Sequence, residues 1–285
     1  MTAELQSAQQ ALDRELSRYE RLAVAYSGGV DSAFLAYAAF KVLGAERMTA
    51  VLADSPSLSR ADLRAAIAFA EEHSIPLRIV RTDEMANPAY VRNDAMRCFH
   101  CKDELFNVMT ALTAELPGYT VAYGRNKDDA GDFRPGQQAA ANHEVVAPLA
   151  DAQLGKVEIR ALAQAAGLSV WNKPAAACLA SRLEYGRPVT PEALQQVEDA
   201  EAALHVLGLR QVRVRHHGAV ARIEISREEL ASLALTLDIL DRITAAGKSA
   251  GFEFVTLDTA GYRTGSMNAL LPLSALTKAT AHHAS

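Results

Sequence analysis

Residues 22–32 read Leu22-Ala23-Val24-Ala25-Tyr26-Ser27-Gly28-Gly29-Val30-Asp31-Ser32, and this stretch decides how the rest of the chain is read. The apolar run over 22–26 predicts a buried strand that passes directly into a Ser-Gly-Gly-Val-Asp-Ser turn. An apolar-striped helix is expected next, over residues 31–43. Two glycines let the backbone approach an anion, and a helix start aims unpaired N–H groups and a partial positive charge at it. The pattern is not a Walker A loop, which needs four residues between its glycines and then Gly-Lys-Ser/Thr. No lysine follows Gly29, so the loop itself offers no ammonium to a β- or γ-phosphate. It carries Asp31 and the hydroxyls of Ser27 and Ser32 instead, a set suited to gripping pyrophosphate with Mg²⁺ held nearby. The plainer reading is a glycine-rich strand-to-helix turn capped by an aspartate.

Strand and helix signals alternate through the first two-thirds of the chain. Strands are predicted over 47–53, 77–82 and 119–123, and helices over 59–72, 102–115 and 155–166. Such alternation predicts an α/β fold: an open, mostly parallel sheet with helices on both faces. Ligands on such sheets lie beyond the carboxyl ends of the strands, which singles out 27–32, 53–55, 82–83 and the chain from Gly124 onward. Past Tyr185-Gly186 the pattern changes. A helix over 191–207 precedes two alternating strands, 210–216 and 219–226, around a His217-Gly218 turn. Two helical stretches within 227–246 and a strand over 252–258 complete a smaller α+β module. The expected domains are 1–185 and 186–285.

The bulk composition fits a soluble globular enzyme: 285 residues, 49% hydrophobic and 22% charged. A net charge of −5 argues against a broad nucleic-acid-binding surface. No apolar run is long enough to span a membrane, and residues 1–18 carry charges throughout, without a signal-peptide core. Three cysteines, two of them three residues apart, do not make a disulfide scaffold and point to a reducing cytoplasm.

Those cysteines admit three readings. Cys98 and Cys101 form a C-x-x-C in Arg97-Cys98-Phe99-His100-Cys101-Lys102, and Cys178 stands far away in Ala177-Cys178-Leu179-Ala180-Ser181-Arg182. They could be two surface thiols and a packed third. They could belong to a zinc site, although a second close pair is missing. Or all three could serve one reaction, as ligands of an iron–sulfur cluster with one open iron or as thiols that pass sulfur between them.

Polar clusters follow at predicted strand ends. Gly124-Arg125-Asn126-Lys127 and Asp132-Phe133-Arg134-Pro135-Gly136 come after the 119–123 strand, where Gly124 admits a purine edge and Asn126 offers directional contacts to base or ribose. The alternative there is a solvated, turn-rich loop. Arg213 and Arg215 lie two apart on a strand, hence on one face, and forked guanidinium groups suit a phosphate. Gly261-Tyr262-Arg263-Thr264-Gly265 is an arginine loop that could complete the same pocket. Glu201 could pair with one of these arginines or ligate a metal; the plainer reading is a charge on the helix surface.

The Ser-Gly-Gly-x-Asp-Ser string resembles the PP-loop of the ATP pyrophosphatase superfamily. Together with Trp171-Asn172-Lys173-Pro174, Ala180-Ser181-Arg182, Val212-Arg213-Val214-Arg215 and Gly261 to Asn268, the chain resembles the ATP-dependent sacrificial sulfur transferase (LarE) family. The resemblance implies adenylation of a carboxylate of pyridinium-3,5-dicarboxylate mononucleotide, replacement of the activated oxygen by sulfur, and a place in nickel-pincer nucleotide synthesis. By the same token Ser27, Gly28, Gly29, Val30, Asp31 and Ser32 would hold pyrophosphate and Mg²⁺, with Gly124, Asn126 and Arg134 at the nucleotide. Lys102, Ser181, Arg182 and Glu201 would line the reaction site, and Arg213, Arg215 and Arg263 would hold the substrate phosphate. Some members sacrifice the sulfur of one cysteine, leaving dehydroalanine; others use three cysteines and a [4Fe-4S] cluster. With Cys98, Cys101 and Cys178 present, the cluster form is the expectation, served by a sulfide or persulfide donor protein. A homo-oligomer is expected as well. The rival readings are a PP-loop tRNA thiolase, an ammonia-using PP-loop synthetase and a nucleotide sensor without turnover.

Overall fold

The structure, a computed structural model, describes residues 2–115, 118–129, 135–174 and 177–263. Helix α1 (Ala3–Leu16) leads into β1 (Arg21–Ala25), α2 (Val30–Leu43), β2 (Met48–Asp54), α3 (Arg60–Glu72) and β3 (Leu77–Arg81). A short α4 (Pro88–Val91) precedes α5 (Arg97–Glu115), β4 (Tyr119–Tyr123), α6 (Pro135–Asn142), α7 (Pro148–Asp151) and α8 (Lys156–Ala165). The last third holds α9 (Pro191–Val206), β5 (Val212–His217), β6 (Val220–Ile225), α10 (Arg227–Ser232), α11 (Leu237–Ser249) and β7 (Phe254–Leu257). These elements form two compact units. One comprises Met1–Glu84 with Cys98–Ala176, and the other Met85–Arg97 with the chain from Ala177 onward.

The first unit is built on a four-stranded parallel sheet in the order β3-β2-β1-β4. Central β1 pairs Val24 with Ala50 on one side and Ala122 on the other. Its side chains alternate between two cores. Leu22 and Val24 pack with Phe34, Leu35, Phe69 and Ile159, whereas Ala23 packs with Val51, Phe106, Met109 and Tyr123. Both faces are therefore covered by helices, which is why β1 and β2 read as nearly continuous apolar runs. Helix α2 is buried along most of its surface, including Ala33, Phe34, Leu35, Ala36, Ala38 and Ala39. It packs against β1 and β2 of the sheet and against α1 and α8. Helix α3 starts at the Ser59 cap, whose hydroxyl accepts the Asp62 N–H at 3.0 Å, worth about 1 kcal/mol.

In the second unit β5 and β6 form the expected antiparallel hairpin, turned at Gly218 with φ +68°. Strand β7 adds parallel to β6 after the α10–α11 crossover. Val212, Val214, Ala221, Ile223 and Ile225 pack against Ala200 and Leu204 of α9 and against Ile243 and Ala246 of α11. Helix α4 has no apolar repeat to announce it; Asn87 caps it by accepting the Ala89 N–H at 2.9 Å, and Pro88 opens it. Among the described residues, no helix is long and apolar enough to cross a membrane.

Candidate active site

The turn between β1 and α2 lies at the carboxyl end of the central strand, beside the carboxyl end of β4. Helix α2 begins at Val30 with Gly29 as its cap, so Asp31 stands inside the first turn and does not cap it. No side chain caps the helix start, which leaves its first amides for an anion. The Ser32 hydroxyl ties the turn together: it accepts the Ser27 N–H at 3.1 Å and donates to the Gly29 carbonyl at 3.1 Å. Gly28 holds φ +70°, and a Cβ there would lie 2.8 Å from the Ala66 Cβ. The loop is thus glycine for a steric reason, with α3 pressed against it. The buried Tyr26 hydroxyl donates to the Ala66 carbonyl at 2.9 Å and secures that approach; burial pushes its ionisation well up.

Gly124 is glycine for a similar reason. A Cβ on it would meet the Ser32 backbone nitrogen at 2.8 Å, so the end of β4 can pass the start of α2 only without a side chain. Asn126, buried, directs its amide toward Asp31 Oδ2 at 3.4 Å. The same Asp31 oxygen accepts from the Lys156 ammonium at the start of α8. Asp31 Oδ1 is buried and has no hydrogen-bond partner. A lone carboxylate oxygen next to an anion cradle suits a hard, oxygen-seeking cation, so the chemistry of the site fits Mg²⁺ at Asp31.

Two further contacts hold the loop. Lys173 donates to the Gly28 carbonyl at 3.2 Å and to Asp62 Oδ1 at 3.0 Å. Arg160 in turn donates to the Trp171 and Lys173 carbonyls at 2.6 and 2.9 Å, fixing the segment that carries the lysine. At the end of β2 the Ser55 and Ser57 hydroxyls both donate to Glu84 Oε1, and all three residues are buried. The sequence singles out this strand end, but not the glutamate.

Cys98 and Cys101 fall on the first turns of α5, Cys98 exposed and Cys101 half-buried. The stem of Lys102 lies against Gly136, and its ammonium sits 5.1 Å from the centre of the Tyr123 ring. Cys178, half-buried, precedes a short 3₁₀ turn over Leu179–Arg182 in the second unit. Among the described residues, no group of three or more His, Cys, Asp or Glu side chains is placed to hold a metal ion. Arg134 and the stretch 264–268 lie outside the described residues.

The second unit gathers arginines around Cys178. Arg182 donates to both oxygens of Glu201, at 3.0 and 3.1 Å, and to the Ala177 and Cys178 carbonyls at 2.5 and 2.9 Å. Ser181 donates its hydroxyl to the Cys178 carbonyl at 2.7 Å. Arg215 is held by Glu224 Oε2 through two N–H groups, at 2.9 and 2.7 Å. Arg213 differs. Its hydrogen bond goes to the Val212 carbonyl at 2.7 Å, and its guanidinium lies 5.3 Å from the Tyr262 ring centre. Burial, and next the nearby charge of Arg182, pull its pKa below the usual arginine value. Among the described residues Arg213 makes no ion pair with a carboxylate, and Glu201 acts on it only through its charge, which leaves its guanidinium open to an anion. Arg263 is exposed.

The sequence matches known proteins. The NAD synthase family model matches residues 5–104, from α1 to the start of α5. The chain is 33% identical, over 93% of its length and 95% of the other's, to the pyridinium-3,5-bisthiocarboxylic acid mononucleotide synthase of Lactiplantibacillus plantarum. It belongs to that family of PP-loop, ATP-using enzymes. An uncharacterised protein of Synechocystis is 41% identical over 94% of this chain and 99% of its own length. Another, from Methanocaldococcus jannaschii, is 26% identical over 88% of this chain and 94% of its own. As a family member the chain is an ATP-using enzyme. Lys156 and Asp62 carry no motif that sequence reading could use; the fold brings Lys156 to Asp31 and Asp62 to Lys173.

Proposed function

We propose that this enzyme adenylates the carboxylates of pyridinium-3,5-dicarboxylate mononucleotide and converts them to thiocarboxylates in nickel-pincer nucleotide synthesis. The reading is carried by one conjunction: an intact PP-loop with a partnerless Asp31 oxygen, in a chain similar along its length to a synthase of the bisthiocarboxylic acid mononucleotide. A substrate carboxylate oxygen attacks the α-phosphate of ATP, and the bond to the β-phosphate breaks, releasing pyrophosphate. The helix-start amides and Ser27 receive that leaving group, and Mg²⁺ at Asp31 would neutralise charge building on it. A sulfur nucleophile then attacks the acyl carbon and AMP leaves. Two rounds give the bisthiocarboxylate. Arg213, with Arg215 and Arg263, supports the substrate phosphate.

The sulfur is assigned to the cysteines. A [4Fe-4S] cluster on Cys98, Cys101 and Cys178, fed by a sulfide or persulfide donor, rests on the number of thiols, and the adenylation chemistry does not depend on it. A tRNA thiolase shares the loop, but the net charge of −5 offers it little.

Anaerobic purification with iron and sulfide analysis, followed by turnover with ATP and the dicarboxylate mononucleotide, tests this reading. AMP, pyrophosphate and thiocarboxylate should form together. Iron-free protein giving at most one sulfur per chain and dehydroalanine at Cys178 would replace the cluster by sacrifice. Formation of AMP with RNA but not with the mononucleotide would overturn the substrate.

A further inference from the structure

Past β7 the chain turns so as to set one aromatic ring beside Arg213. The Asp258 N–H donates to the Ile223 carbonyl at 2.8 Å, and the Gly261 N–H to the Asp258 carbonyl at 3.0 Å. Gly261 holds φ +70°, and a Cβ on it would lie 2.8 Å from the Ile225 carbonyl oxygen. That same carbonyl accepts the Tyr262 N–H at 2.8 Å. Tyr262 is therefore fixed by its backbone at the end of β6, where Ile225 pairs in register with Val212. The Arg213 guanidinium carbon lies over the half-buried Tyr262 ring, 5.3 Å from its centre.

The carboxylate opposite Arg213 is already taken. Glu224 pairs with Arg213 in register, but its Oε2 accepts two hydrogen bonds from Arg215 and its Oε1 accepts one from Arg222. Arg213 spends one N–H on the Val212 carbonyl. Burial, and next Arg182, work against its charge, while Glu201 favours it without an ion pair. An aromatic face attracts a guanidinium through the ring quadrupole and takes up none of its N–H donors. A carboxylate in that place would fix the arginine by cancelling the charge that an anion needs.

We propose that Tyr262 is a positioning residue for the substrate phosphate: its ring holds the Arg213 guanidinium in place, with the charge uncancelled and N–H groups left to bind. The inference rests on the assignment of Arg213 to that phosphate and names the group that prepares it. An unsupported arginine stem loses rotamer freedom each time it binds; a pre-placed one has already lost it.

Calorimetric titration of the full chain with pyridinium-3-carboxylate mononucleotide, and with the riboside that lacks its phosphate, tests this. Wild type should prefer the mononucleotide. Tyr262→Leu should weaken the mononucleotide by about 3- to 10-fold, the worth of a partly desolvated cation–π contact, and leave the riboside within about twofold. Tyr262→Phe keeps the ring and should stay within about twofold of wild type for both. In an Arg213→Met background Tyr262→Leu should add no further loss, because its effect passes through the arginine. Equal weakening of both ligands, the same loss in Tyr262→Phe, or a full additional loss in the double variant would each overturn the proposal. Should Tyr262→Leu fail to fold, Tyr262→pentafluorophenylalanine keeps the ring's shape and reverses its quadrupole. It must bind the mononucleotide more weakly than Tyr262→Phe does; equal affinity refutes the role. Wild type that binds neither ligand, or both alike, would take the phosphate away from Arg213 and sink the functional reading together with this inference. A wild-type preference that survives Tyr262→Leu unchanged refutes this inference alone.

Discussion

Arg182 and Glu201 form a buried, two-pronged ion pair, with guanidinium nitrogens 3.0 and 3.1 Å from the two carboxylate oxygens. Glu201 Oε1 also accepts the Val214 N–H at 3.0 Å, so the pair joins the Cys178 segment to β5. Glu201→Ala removes the counter-charge of a buried guanidinium and the acceptor of the Val214 amide. It should cost about 3–5 kcal/mol in denaturant unfolding, with Glu201→Gln falling between. Faster alkylation of Cys178 should accompany the loss, because Arg182 no longer anchors the carbonyls around it. An unchanged unfolding midpoint in Glu201→Ala would contradict this.

Gly28→Ala forces a side chain into the left-handed region and against Ala66. The backbone alone costs about 1–2 kcal/mol. Ala66→Gly in the same chain removes the steric part and leaves the backbone part. Thermal unfolding and ATP titration should therefore show partial rescue by the double variant. Full rescue would mean the backbone conformation is not strained, and no rescue would mean the contact is irrelevant.

Arg213 and Arg215 share a strand face but differ in their partners. Arg213→Met should weaken binding of a pyridine mononucleotide about tenfold or more, at a stability change within about 1 kcal/mol. Its charge is already disfavoured by burial and by Arg182, so removing it relieves repulsion. Arg215→Met takes one guanidinium from the fully buried Glu224, which also pairs with Arg222, and should destabilise the fold by several kcal/mol. The reverse pattern in paired titration and unfolding experiments would exchange the two roles.

Buried His216 is held in its neutral form. Burial lowers its pKa, and the charge of Arg187 adds to this. Its Nε2 faces Gln196 Oε1 at 3.0 Å, while Nδ1 accepts the Gly218 N–H at 3.2 Å, so a second ring proton would meet a donor. Because the folded pKa lies below the unfolded value, the unfolded chain takes up the proton first. Stability from this group is complete above about pH 6.5 and declines as pH falls through that value toward the folded pKa. The difference in unfolding free energy between wild type and His216→Asn should shrink from pH 7.5 to pH 5, taking those pH values as rough limits of the histidine range. A pH-independent difference would contradict it.

Much of the architecture was legible because it is written in local patterns. The apolar run before Ser27, the buried helix after Gly29 and the alternation of Val212-Arg213-Val214-Arg215 each follow from side-chain period and burial, and each stands where expected. Helix α4 was not legible, since a four-residue helix has no period to detect. Gly124 lacks a Cβ because the Ser32 backbone leaves no room for one, a neighbour invisible from the sequence around it.

The sequence by itself determined that a glycine-rich, lysine-free anion loop would sit at the end of a buried strand, because backbone freedom and hydrophobic period are local properties. Only the tertiary structure decided which charges meet there. It brought Lys156 to Asp31, and committed Arg182 to Glu201 and Arg215 to Glu224. Those pairings join residues on different elements, and packing chooses among the many charges the composition makes available.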